Sequence, residues 1–248
     1  MKKLLLLLLC VPLIGFGQVY IPDTNFKAYL VGEPLINTNG DSEIQQSEAT
    51  AFNGTISCYY MNISDLTGIE NFTALTTLFC YENQLTSLDV SQNTALTTLF
   101  CDFNQLTSLD VSGATDLYFL QCQSNQLTSL DVRTNTALQY LYCYSNQLTS
   151  LDVRNGNNVN FAYFNATVNP NLSCISVDDS SWSTANWTNI DPQHYFSNNC
   201  SGTGIEEQTT NKELLKVTDL LGRETKETNQ PLLYLYDDGT VEKRITID

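Results

Sequence analysis

Two kinds of reactive side chain recur in this 248-residue sequence at regular spacing. Cys58, Cys80, Cys101, Cys122 and Cys143 return every 21 or 22 residues, and Asp89, Asp110, Asp131 and Asp152 return every 21. Thiolates so placed could ligate a soft metal or pair as disulfides. Carboxylates could hold Ca2+ or act in pairs on a glycosidic bond. A metal column would want His or Asp ligands recurring beside the thiols, and none does. Five thiols cannot all pair, and adjacent parallel strands suit disulfide geometry poorly, so they read as small buried hydrophobes. Like charges at ladder spacing repel, so the aspartates need compensation. Either each accepts backbone N–H groups at its own turn, which is the preferred reading, or pairs of them share Ca2+. His194 is the only histidine and has no evident Ser or Cys partner. The chain therefore reads as a binding protein and not an enzyme.

Oxygen ligands cluster once more, in Asn37–Glu48, "NTNGDSEIQQSE". Asn37, Asn39 and Asp41 take the first, third and fifth places, Glu43 offers a carbonyl at the seventh, and Glu48 stands at the twelfth. This spacing resembles the EF-hand calcium loop, which implies a weak Ca2+ site, since Ser42 replaces the turn glycine and two leading acids are amides. The alternative is a polar turn that caps a helix beginning near Ser47. Ca2+ is the only cofactor the sequence suggests.

The element that must carry these columns is a repeat. "NQLTSLDV" stands at 83–90, 104–111, 125–132 and 146–153. Each 21-residue coil holds two similar halves, Leu75-x-x-Leu78-x-Cys80-x-x-Asn83 and then Leu85-x-x-Leu88-x-Val90-x-x-Asn93. Alternation of apolar and exposed residues predicts a short strand in each half, and repetition predicts coils stacked about 4.8 Å apart around an apolar column. Asn83, Asn104, Asn125 and Asn146 are expected to satisfy backbone groups of neighbouring bends. The second-half equivalents read Asn93, Ala114, Asn135 and Gly156, so that ladder is expected to be interrupted and less buried. An imperfect coil from Ile56 precedes the four copies. A degraded one, Phe161-x-x-Phe164-x-Ala166-x-x-Asn169, follows them, as a solenoid's exposed ends require.

The pattern resembles the leucine-rich repeat family, in its bacterial 21-residue, Cys-containing class, and "LTGIENFTAL" (66–75) is similar to an internalin opening repeat. The resemblance implies a β-rich solenoid over 54–178. An N-terminal helical cap with the loop is expected over 18–53, and a C-terminal cap over 179–200. Cys174 and Cys200 lie outside the column and bracket a Trp-bearing segment, so a disulfide between them is expected to close the second cap.

Outward positions of the second strand barely change between copies, whereas those of the first strand diversify. Position 79 reads Phe79, Phe100, Gln121, Tyr142; position 81 reads Tyr81, Asp102, Gln123, Tyr144; position 82 reads Glu82, Phe103, Ser124, Ser145. With Tyr118, Phe119 and Tyr140 adjoining, this aromatic surface is the expected binding face, for a protein or a glycan. The competing reading is that the rings only pack on one another.

The net charge of −16 argues against nucleic acid and anionic membranes. Residues 1–17 read as a cleaved secretory signal, with Lys2 and Lys3 ahead of an apolar run ending at Phe16. Its loss removes two lysines and no acid, which takes −16 to −18. No later apolar stretch could span a bilayer, so no membrane insertion is expected. A polar linker (201–212) leads to a small β unit (213–248), where Asp238-Gly239 predicts a hairpin after "PLLYLY". Asp219-x-x-Gly222-Arg223 and Lys243-Arg244 resemble a type IX secretion sorting segment, which implies a partner in that export machinery and a secreted or outer-membrane surface location. The whole is expected to be a monomer that binds through its first-strand face. The alternatives are an adhesive or carbohydrate-active solenoid using the Asp column, and a structural spacer without a ligand.

Overall fold

The computed structural model describes residues 17–200 and three later strands, Leu214–Asp219, Pro231–Tyr236 and Val241–Ile245. The signal segment before Gly17, the 201–212 linker, the Gly222-Arg223 motif and the Asp238-Gly239 turn lie outside the described residues. Among the described residues no helix is long and apolar enough to cross a membrane.

One inward side chain flanked by two outward ones gives strands of only three residues. The first-half strands are β1 (Thr55–Ser57), β2 (Thr77–Phe79), β4 (Thr98–Phe100), β6 (Phe119–Gln121), β8 (Tyr140–Tyr142) and β10 (Tyr163–Asn165). They form one parallel six-stranded sheet in that order, with Leu78, Leu99, Leu120 and Leu141 in register. The second-half strands are β3 (Ser87–Asp89), β5 (Ser108–Asp110), β7 (Ser129–Asp131) and β9 (Ser150–Asp152), followed by β11 (Cys174–Ser176) and β12 (Tyr195–Ser197). The leucines, valines and thiols between the two ladders fill the interior, and Cys58, Cys80, Cys101, Cys122 and Cys143 are all buried and free. The expected solenoid is what the chain forms.

Each first-half asparagine joins two coils from both ends of its amide. Asn125 Nδ2 donates to the Cys101 carbonyl of the coil before (3.1 Å) and to Cys122 of its own coil (3.2 Å), while its Oδ1 accepts from Leu106 N (2.9 Å). Asn104, Asn146 and Asn169 repeat the arrangement. Only a short side chain with both a donor and an acceptor can do this. Immediately before each asparagine the backbone turns left-handed, at Glu82, Phe103, Ser124 and Ser145, and at Val168 in the last coil, with φ between 51° and 57°; Tyr60, ahead of Met61, takes the equivalent place in the opening coil.

The second-half asparagines correct an expectation. Asn93 and Asn135 are fully buried, because each amide bridges two carbonyls of the previous coil: Ile69 and Phe72 for Asn93, Val111 and Ala114 for Asn135. In the fourth coil Asn155, one place before Gly156, donates to the Asn135 carbonyl of the previous coil (2.9 Å), while Asn158 bonds Val153 within its own. Ala114 leaves the first and second coils without such a bridge, and the second sheet divides at the next junction. Strands β3 and β5 pair with each other, β7, β9, β11 and β12 form a second ladder in that order, and β5 is not bonded to β7. A Cβ on the adjacent Gly113 would stand 1.7 Å from the Ser91 carbonyl oxygen. The second coil therefore settles directly onto the first, and the third stands off from it. Leu109, at the split, is the one inward leucine of β3, β5, β7 and β9 that is only half-buried.

Both ends are closed. Ahead of the coils, helix α1 (Thr24–Gly32) buries Phe26 and Leu30, and its N-cap Asp23 also accepts from Ser64 N (2.8 Å). Tyr29 Oη accepts the Ser57 N–H on the edge strand β1 (2.8 Å), and a short α2 (Gln46–Ala51) follows the polar loop. At the other end α3 (Ser180–Asn186) leads into Trp187, whose indole stacks on Phe164 at 4.2 Å. Cys174 and Cys200 are disulfide-bonded across this cap, with Cα atoms 5.7 Å apart. The later strands β13 (Leu214–Asp219), β14 (Pro231–Tyr236) and β15 (Val241–Ile245) form a separate antiparallel sheet with β14 central.

Two substitutions test this account. Asn125→Ala leaves Leu106 N without its acceptor and takes one of two amide donors from each of the Cys101 and Cys122 carbonyls, which keep Asn104 and Asn146. It should cost about 2–3 kcal/mol in denaturant unfolding, against about 0.5 kcal/mol or less for the exposed neighbour Gln126→Ala. Gly113→Ala should cost about 2–3 kcal/mol, because the obstructing atom is backbone.

Candidate binding face

The outer surface of the six-stranded sheet carries a continuous run of rings. Phe79 and Phe100 lie 4.9 Å apart, Phe100 and Phe119 5.0 Å, Phe119 and Tyr140 4.9 Å, Phe119 and Tyr142 5.6 Å, and Tyr142 and Tyr163 4.5 Å. Tyr118 packs on Tyr140, and a second stack joins Tyr59 to Tyr81 at 4.7 Å beside Tyr60. Both sequence readings meet here, since the rings stack on one another and every ring of the main run stays half-exposed. A rigid sheet presents them at fixed spacing, so little side-chain freedom is left to lose on binding.

The expected face residues separate into two groups. Phe79, Tyr81, Phe100, Tyr140, Tyr142, Tyr144 and Gln121 are half-buried outward residues, and Phe103 is 51% exposed at its left-handed position. Asp102 and Gln123 are buried, although they share the column of Tyr81 and Tyr144. Tyr59, Tyr60 and Tyr163 were not singled out by sequence reasoning, because they belong to the irregular end coils. Aligning Cys58 with Cys80, and Phe164 with Leu141, would have found them.

Burial pushes the Asp102 carboxyl up to about 6, and nearby Glu82 adds to the effect. Burial likewise drives the thiols up, to about 12 for Cys58 and Cys143 and well above the usual range for Cys80, Cys101 and Cys122. Buried and neutral, those thiols pack as small apolar groups.

The aspartate column serves its own turns. Asp89, Asp110, Asp131 and Asp152 accept the N–H groups of Ser91, Ser112, Arg133 and Arg154 respectively, at 2.8–3.2 Å. Arg133 and Arg154 also pair with Asp131 and Asp152 through their guanidinium groups. A cleft of about 650 Å3 opens where β5 and β7 part, lined by Ser108, Asp110, Ser112, Ser129, Asp131 and Arg133.

In the Asn37–Glu48 loop the oxygens are turned toward the chain itself. Glu48 Oε1 accepts from Thr38 N (2.8 Å) and Asn39 N (3.1 Å), and its Oε2 accepts from Gln45 N (3.0 Å). Burial raises this carboxyl, but those bonds outweigh it and hold it below its ordinary value. Asn37 Oδ1 accepts from Gly40 N, Asp41 Oδ1 accepts from Glu43 N, and Glu43 pairs with Lys27 at 2.7 Å. This is the hydrogen bonding of a capped turn. Closing the loop on a cation would require Glu48 to release its backbone partners. His194 is buried in the C-terminal cap, in contact with the Asn169 carbonyl and with Asp191, whose carboxylate accepts from Val168 N and Asn169 N.

No family model matches the chain. Over 75 residues it is 39% identical to Internalin J of Listeria monocytogenes serotype 4b, a stretch that covers 30% of this chain and 8% of that protein. Among solved structures, the functional domain of InlJ from Listeria monocytogenes, which includes a cysteine ladder, is 36% identical with a TM-score of 0.50, over 65% of this chain and 38% of that one. The fold is that of the internalin leucine-rich repeats. Internalin C2 of the same species is 19% identical over 71% of this chain and 93% of its own, with a TM-score of 0.39. The chain thus spans well under half the length of the InlJ relatives it matches. Its internalin-like solenoid has a thiol ladder of its own in Cys58 to Cys143.

Asp102 yields a prediction whose sign follows from linkage. Its carboxyl is raised in the folded state, so the fold binds this proton more tightly than the unfolded chain does. The stability so gained is present at low pH and is lost as pH rises through about 6. Asp102→Asn should therefore raise stability at pH 7.5 by about 1–2 kcal/mol and by far less at pH 4, read from melting curves at both pH values.

Proposed function

We propose that this chain is a secreted or cell-surface binding protein that engages a protein or glycan partner through the first-strand face of its internalin-like solenoid. The observation that carries the reading is the ring run from Phe79 to Tyr163, which crosses five coils and stays half-exposed on a rigid sheet. Variation between copies of common descent falls on this face, while the second-strand face repeats Thr-Ser-Leu-Asp unchanged. Similarity to Internalin J supports a binding or adhesion role.

Binding fits better than catalysis. The repeated thiols are buried and neutral, His194 is engaged in the cap, and each column aspartate is bonded to its own turn. The apolar start at Leu4–Phe16 supports export, and the Asp219-x-x-Gly222-Arg223 motif supports passage through type IX machinery. On this reading the terminal sheet serves as an address and the solenoid as the working surface.

Protein and glycan arrays probed with the whole mature chain test the reading. Hits should weaken at least about tenfold on replacing Phe79, Phe100 and Tyr142 together by alanine, as expected when central aromatic anchors are lost. They should change less than about twofold for Asp110→Ala with Asp131→Ala, which are solvated side chains on another face. The reverse pattern would move the site to the cleft between β5 and β7, and arrays without a reproducible hit would leave a structural spacer.

A further inference from the structure

Asp102 and Gln123 differ from the other buried polar residues of the first-half sheet. The asparagines there spend both ends of their amides on backbone, whereas Asp102 Oδ1 and Gln123 Oε1 are buried with no hydrogen-bond partner among the described residues. Their residues are only 7% and 5% exposed. A buried acceptor left unmade costs free energy, and a pair of them in one place calls for a donor from elsewhere.

The two lie side by side. They stand two residues beyond Phe100 and Gln121, which are register partners across β4 and β6, and Phe103 N donates to the Gln123 carbonyl at 3.2 Å. They therefore sit on consecutive coils at the edge of the ring-bearing face. Tyr81 precedes them in the column and Tyr144 follows. Glu82 and the exposed Phe103 occupy the neighbouring left-handed positions.

What would complete such a site must bring at least two donors, tolerate aromatic neighbours and carry positive charge toward two carboxylates. A guanidinium satisfies all three, with five N–H groups in a planar fork that also stacks on rings. The acidity of the chain, −16 overall, draws a basic partner in the same direction. We propose that Asp102 and Gln123 form an acceptor pair that receives an arginine side chain of a basic protein partner. This rests on the reading of the first-strand face as the binding surface and adds to it the class of partner.

The carboxyl of Asp102, pushed up to about 6, makes the site sensitive to pH. The other titratable groups coupled to it are Glu82, the phenols of Tyr60 and Tyr81, and the thiols of Cys80, Cys101 and Cys122. The phenols and thiols are all shifted upward and stay neutral in this range.

Titration of the labelled whole chain with the capped tripeptide Gly-Arg-Gly, followed by amide chemical shifts, tests the assignment. The arginine peptide should bind saturably, and its neutral citrulline counterpart at least about tenfold more weakly, since charge-assisted bonds are the strong ones. Asp102→Asn should weaken binding at least about tenfold while keeping the fold, and lowering pH from 7.5 to 5.0 should weaken the wild-type chain about tenfold as the carboxylate is lost. Asp89→Asn, which removes one carboxylate from the second-strand face, should change affinity less than about twofold. Equal binding by Asp102→Asn, or by the citrulline peptide, would overturn the assignment, because either would mean general attraction to an acidic surface. Displacement of the arginine peptide by methyl glucoside would also overturn it, in favour of sugar hydroxyls at the same acceptors. A flat titration with the arginine peptide would end it as well. That result would leave the ring-face reading to the arrays, which are scored on Phe79, Phe100 and Tyr142.

Discussion

The structure depends on an amide that is shared between two turns of chain. A three-residue strand supplies few hydrogen bonds of its own, and the bend after it would bury carbonyls with no partner. Asparagine closes that deficit at Asn83, Asn104, Asn125, Asn146 and Asn169, taking its donors' acceptors from two coils and returning an acceptor to a backbone N–H of the earlier one. Once this bond set holds consecutive coils in register, leucine falls on leucine and thiol on thiol, and the core follows from the stacking. The strictness of "NQLTSLDV" reflects this geometry: a residue that contacts its own copies must be the same in every copy.

The same geometry decides what could be read from sequence. Inward positions repeat because they touch their equivalents, so the solenoid, its two ladders and the free thiol column were legible from spacing alone. The aromatic face was legible in part, through the divergence of Phe79, Phe100 and Tyr142. Tyr59, Tyr60 and Tyr163 escaped because the end coils that carry them have lost the consensus in order to meet the caps. The burial of Asp102 and Gln123 was not legible. Alternation marks them as outward, and the burial of an outward residue depends on side chains from neighbouring coils. Nor was the depth of Asn93 and Asn135, whose partners are carbonyls of the preceding coil.

Scaffold and surface make opposite demands on this sheet. The first-half asparagines satisfy both ends of their amides, while the outer edge keeps a carboxylate oxygen and an amide oxygen without a partner among the described residues. Local rules broken without internal compensation tend to mark places where a protein gives up stability for use. Here the breach sits beside exposed rings on the variable face, whereas the aspartates of the invariant face are bonded at their own turns.

The parting of β5 from β7 has a mechanical consequence. A stack of similar units comes undone at its weakest junction, and here the missing strand pairing lies between the second and third near-identical coils. Two blocks result, each with its own lid: the helical N-terminal lid with the early coils, and the disulfide-bonded lid with the late ones. Pulled along its axis, the molecule should yield first in the middle, as a zipper does at a skewed tooth, while both ends stay shut.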